Sequence, residues 1–170
     1  MSHGYIYGYK KAADKLVQNL DKKHSEIDYL VYPIIFLYRH HIELILKNLL
    51  ALNIQLSQSK EKIPKNHKIR DIWPRVKGHY RQINQGQNSK ELKFVDNIIE
   101  ELDTIDPDSM NFRYSRDTKG SKPNENLRNI DLKVFAKIID KVSDILETFE
   151  YQVRYCLEQK WEYESLQQEK

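Results

Sequence analysis

Four side chains able to do chemistry recur at helical spacing in one short run, RHHIELILK: Arg39, His40, Glu43 and Lys47. At about 100° per residue they project, together with Tyr32 and Phe36, within an arc of about 100°. Arg39, Glu43 and Lys47 stand at i, i+4 and i+8, so they stack along one helix face and can pair. A guanidinium fork suits a phosphate. An imidazole beside a guanidinium is discouraged from protonation and can serve as a base. Arg39 and His40 are therefore the candidate catalytic groups, with Glu43 and Lys47 as candidate binding groups. A salt-bridged stripe that binds nothing has the same spacing, and that alternative stands beside the first. His41 points to the apolar side and reads as a core histidine.

A second set lies in MNFRYSRD, residues 110–117. Flanking aromatics can hold Arg113 with its fork presented to a phosphate, and Tyr114 and Arg116 join it as binding candidates. In the alternative, Phe112 and Tyr114 only pin the loop while Arg113 pairs with an acid such as Glu43. His67 and Trp73 border the same cleft in this reading, although a helix cap and a core aromatic are their simpler roles. Other chemistries lack their motifs. There is no GxxxxGK[ST] or GxGxxG loop, no HExxH pair and no GxSxG turn. Cys156 is the only cysteine, which excludes a disulfide within the chain and a CxxC zinc site. No metal and no cofactor are expected.

The elements that must position these groups are helical. Tyr29–Ile54 is the most apolar stretch, and Val31, Ile34, Ile35, Tyr38, Ile42, Ile45, Leu46 and Leu49 share one side of it. A helix so broadly apolar belongs at the centre of a bundle. Polar residues on its remaining arc conflict with that burial, and such conflicts mark functional sites. The helix is expected to start at Ser25 and pass through Pro33 with a kink. A first helix over Tyr5–Leu20 presents Tyr5, Tyr9, Ala12, Leu16 and Leu20 as its face. A bent or two-part third helix follows, carrying Ile69, Ile72, Trp73, Val76 and Tyr80, with Asp71 as N-cap so that Pro74 falls in the first turn. Asn88 and Glu91 form the start signature of a fourth helix, which ends at Asp106-Pro107. A long loop over Pro107–Arg128 is ordered where Met110, Phe112 and Tyr114 anchor it. The last helix begins near Asn129 or Asp131 and runs to about Leu157, and residues 158–170 form a polar extension. No strand pattern occurs. The expectation is all-α: one domain over residues 1–170, an up-and-down bundle of about five helices with a long ordered loop before the last.

Composition agrees with a globular chain. Of 170 residues 39% are apolar and 31% charged, enough for one substantial core. A net charge of +3 does not itself demand a nucleic-acid partner, and the local excess of Lys and Arg over residues 60–81 equally describes a solvated face. The N-terminus has no signal-peptide core and no stretch is apolar enough to span a membrane, so the cytoplasm is the expected location.

Three blocks give the chain a resemblance: FLYRHHIELILKNLL at Phe36–Leu50, NHKIRDIW at Asn66–Trp73 and MNFRYSRDTKG at Met110–Gly120. In order and spacing they resemble a group of bacterial proteins of the HEPN superfamily, small helical domains of toxin–antitoxin and phage-defence systems. The resemblance covers most of the bundle. It implies binding of RNA or a nucleotide phosphate, metal-independent ribonuclease activity, a homodimer, and an antitoxin or defence partner protein. The superfamily's ribonuclease signature is an Arg and a His with four to six residues between them. Here every His lies at or before His79, so Arg113 and Arg116 have none downstream, and Arg75 and His79 enclose only three residues. The rival expectation is a non-catalytic helical interaction module.

Overall fold

A computed structural model describes residues 3–20, 24–84, 89–107, 109–113 and 130–168, with the backbone alone for 24–27. The described residues form five helices and no strand: α1 (His3–Gln18), α2 (His24–Ser57), α3 (Ile69–Ile83), α4 (Lys90–Ile105) and α5 (Leu132–Gln168). The chain is an all-α helical bundle. None of these helices is long and apolar enough to cross a membrane.

Helix α2 is the axis of the bundle and packs against α1, α3 and α5. All eight apolar positions of its main stripe, from Val31 to Leu49, are buried. Pro33 lies inside this single helix and deprives the Tyr29 carbonyl of its helical donor. The C-terminus of α2 closes in a Schellman arrangement. Ser59 N–H donates to Ile54 O at 3.1 Å, Gln58 N–H donates to Gln55 O at 3.3 Å, and Gln58 takes a φ of 51°.

Helix α1 runs antiparallel to α2, and its buried face is turned from the one its spacing suggested: Leu16 and Leu20 pack at the edge of the core, but Ala12 is exposed. Ile6, Ala13 and Val17 are buried while Tyr5 is exposed. Directed polar bonds decide this. Tyr38 Oη donates to Asp14 at 2.7 Å, Lys10 bridges Asp14 and Asp140, and His41 Nδ1 lies 2.7 Å from Ile6 O. Helix α3 is one helix from Ile69, with Lys68 rather than Asp71 at its N-cap. Asp71 is its third residue and accepts from Asn66 Nδ2, while Asn66 Oδ1 accepts from Lys68 N–H. Pro74 is therefore interior, and burial of Ile69, Ile72, Trp73 and Val76 outweighs the lost backbone bond. Trp73 Nε1 donates to Asp96, tying α3 antiparallel to α4. The cap of α4 is Ser89, one residue after the expected Asn88, and its Oγ accepts from Leu92 N–H.

Asp131 opens α5, its carboxylate accepting from Lys133 and Val134 N–H. The helix does not stop near Leu157 but continues to Gln168, and Cys156 is half-buried rather than sealed in the core. Paired positions Tyr38–Phe135, His41–Ser143 and Leu56–Lys160 show α5 lying parallel to α2.

Candidate functional site

Glu43 is the centre of the polar arc on α2. Its side chain is buried, 1% exposed, and four cationic or basic groups surround it. Lys47 Nζ and His67 Nδ1 both reach Oε1, at 2.9 and 2.8 Å. Arg39 Nη1 lies 3.5 Å and His40 Nδ1 3.8 Å from Oε2. Burial alone would push this carboxyl up. The groups on His40, Lys47 and His67 outweigh it and bring the carboxyl down from 4.5 to about 2. Glu43 is thus an ionised acceptor, and His67 must carry its proton on Nδ1 when neutral. That leaves Nε2 as the basic nitrogen. His67 is 46% exposed, so a buried carboxylate orients a solvent-facing imidazole.

Helix α3 and its leader create this pair. His67 precedes Lys68, the N-cap of α3, whose side chain makes no cap hydrogen bond. Its backbone carbonyl accepts from Arg39 Nη2 at 3.0 Å. The histidine therefore serves α2 rather than capping α3. Sequence reasoning placed His67 beside the cleft but gave it a lesser role, because nothing local links residues 24 apart.

Arg39 was expected to touch a ligand, and the fold places it elsewhere. It is fully buried. Its Nε donates to Asp106 O at 3.1 Å and lies 3.4 Å from the Asp106 carboxylate. Burial pulls the guanidinium down, and Asp106 and Glu43 oppose that. Arg39 ties the end of α4 to the middle of α2 and positions Glu43 from behind.

Asp106 in turn shapes the loop. Its Oδ1 accepts from Met110 and Asn111 N–H at 2.8 and 3.0 Å. The turn forces Ser109 to a φ of 60°, a left-handed conformation costly for a residue with a Cβ. It delivers Phe112 to the core and Arg113 to the surface. The Arg113 guanidinium sits 4.8 Å from the centre of the Phe36 ring, and Phe36 stacks on His40 with 5.6 Å between centroids. Tyr9 meets the His40 ring edge-on. Arg113 thus joins the arc through Phe36, not by pairing with Glu43. The expected binding groups Tyr114 and Arg116 lie outside the described residues, as does the loop beyond them.

Among the described residues, five buried side-chain atoms without a hydrogen-bond partner gather here: Arg39 Nη1, His40 Nδ1, Glu43 Oε2, Asp103 Oδ1 and Asp106 Oδ2. The groups on Arg39, His40, Glu43 and Asp106 face one another at 3.4–3.8 Å, longer than directed hydrogen bonds, while Asp103 pairs with Arg70 through its other oxygen. Contacts of this kind can tighten when a ligand arrives. Among the described residues no group of three or more His, Cys, Asp or Glu side chains is arranged to hold a metal ion. His41, by contrast, is a core histidine. Nδ1 faces Ile6 O, Nε2 lies 2.8 Å from Ser143 Oγ, and burial lowers its pKa.

No protein-family model, no curated protein and no solved structure matches this chain.

Proposed function

We propose that this edge of α2 binds an RNA phosphate and cleaves the phosphodiester without a metal, as the HEPN resemblance implies, in a toxin–antitoxin or phage-defence setting. The observation that supports it is the pairing of buried, ionised Glu43 with half-exposed His67. A carboxylate behind an imidazole fixes the tautomer and stabilises the imidazolium that forms on proton uptake. His67 Nε2 takes the proton of a ribose 2′-hydroxyl. O2′ attacks the adjacent phosphorus, the P–O5′ bond breaks, and O5′ takes a proton from solvent. The products are a 2′,3′-cyclic phosphate and a 5′-hydroxyl. Lys47 and Arg113 offset phosphate charge.

The proposed assembly is a homodimer with an antitoxin or defence protein as further partner. Its motive is the exposed Trp161, Tyr163 and Leu166 on the last turns of α5. A second reading, a non-catalytic helical interaction module, is favoured by the burial of Arg39, which suits a strut between α2 and the loop.

Incubation with end-labelled RNA and chelator separates the two. Cleavage leaving cyclic phosphate ends is expected with wild type, reduced roughly 100-fold or more in His67→Ala with the far-ultraviolet helical signal retained. RNA left intact by folded wild-type protein would remove the catalytic reading and favour the interaction module.

A further inference from the structure

The polar arc is part of a longer stripe. Tyr29, Tyr32, Phe36, His40, Glu43 and Lys47 follow one another at spacings of three or four, and so share one face of α2. This is core spacing, yet the N-terminal end of the stripe is bare. Tyr29 is 79% and Tyr32 42% exposed. Exposed large aromatics in line, rather than scattered singly, call for an explanation. The stripe then passes from open rings to a ring covered by a guanidinium, Phe36 under Arg113. It ends at the cationic groups around Glu43, which is itself the one acid in the stripe and already neutralised by them. From Tyr29 to Lys47 the rise is about 27 Å.

We infer that this stripe is a track for single-stranded RNA: bases stack on Tyr29 and Tyr32 while the backbone reaches Arg113, Lys47 and His67. The inference rests on the reading of the Glu43–His67 edge as a phosphate site, and adds the class of substrate. Aromatic platforms continuous with a basic groove are how proteins hold single strands, since every base offers a π face. A duplex keeps its base faces stacked inside and offers nothing to the two tyrosines. Both side chains project outward from a helix, so neither is needed for the core.

The test uses intact protein and a fluorescent single-stranded RNA of about ten nucleotides, 2′-O-methylated so that binding is read apart from cleavage. Anisotropy should show the Tyr29→Ala, Tyr32→Ala double variant weakened roughly 100-fold, about ten-fold per ring. The Tyr29→Phe, Tyr32→Phe variant should bind within about three-fold of wild type, because the rings remain. A hairpin duplex of the same sequence should bind at least ten-fold more weakly than the single strand. Wild-type affinity in the alanine variant, or equal affinity for the duplex, would overturn the track and leave the phosphate site standing. Loss of binding in the alanine variant, with unmodified RNA left uncut, would keep the track and remove the ribonuclease. A wild-type protein that binds neither RNA overturns both.

Discussion

Arg39 and Glu43 sit one turn apart on α2, both sealed from solvent, and their roles follow from what each faces. Arg39 faces two carboxylates and two backbone carbonyls. Replacing it by Met leaves Glu43 and Asp106 buried without their shared cation. Arg39→Met is expected to destabilise the fold by about 3–5 kcal/mol, read from urea denaturation. Stability near wild type would show that the guanidinium is not the strut described. Titration adds a second expectation. His41 has a folded pKa lowered from 6.5 by burial, and Glu43 one lowered from 4.5 to about 2. In both the folded state disfavours the protonated form. The His41 contribution is complete above pH 6.5 and declines as pH falls below it. The Glu43 contribution is complete above pH 4.5 and is lost towards pH 2, on the order of 3 kcal/mol in all. Unfolding free energies between pH 7.5 and 5.5 should fall in wild type and stay flatter in His41→Asn, whose amide can still donate to Ile6 O. Parallel slopes would remove His41 as the titrating group.

At the scale of elements, helix ends explain most departures from simple periodicity. Gln58 closes α2 in a left-handed conformation normally given to Gly. Gln58→Gly should stabilise the protein by about 1 kcal/mol, seen as a higher urea midpoint with unchanged slope. A lower midpoint would mean that the Gln58 side chain contributes more than its backbone strain costs. Ser109 carries the same conformation beside the site. There the strain serves the Asp106 turn, which swings Phe112 inward and Arg113 onto Phe36. Helix α3 accepts an interior proline because its first two turns bury three large apolar side chains, Ile69, Ile72 and Trp73.

At the scale of the whole molecule, α5 is longer than the rest of the bundle covers. It continues eleven residues past Leu157 as helix, ending in exposed Trp161, Tyr163 and Leu166. Lys160 Nζ donates to Leu56 O and fastens the base of this extension to the end of α2. Sedimentation of the intact chain beside one truncated after Leu157 should give a dimer and a monomer respectively, with the truncated chain retaining its far-ultraviolet helical signal. A monomeric intact chain removes the proposed homodimer. A truncated chain that still dimerises moves the interface elsewhere.

Local periodicity was enough to recognise five helices and the central part of the core, but not the buried face of α1 or the full length of α5. The buried face of α2 was legible residue by residue, because burial on one side of a 3.6-residue repeat leaves a mark in the sequence. The stripe of α3 was legible for the same reason, as was the polar arc around Glu43. Three things needed the tertiary structure. The buried face of α1 was decided by Asp14, Lys10 and the Ile6 carbonyl, each bonded to a residue at least 24 positions away. Arg39 became a strut because Asp106, 67 residues on, arrives behind it. His67 became the exposed member of a dyad because the connector after α2 returns it to Glu43. Periodicity records which side of a helix is buried, but not which distant partner meets a given polar atom. That pairing is set only when the helices dock.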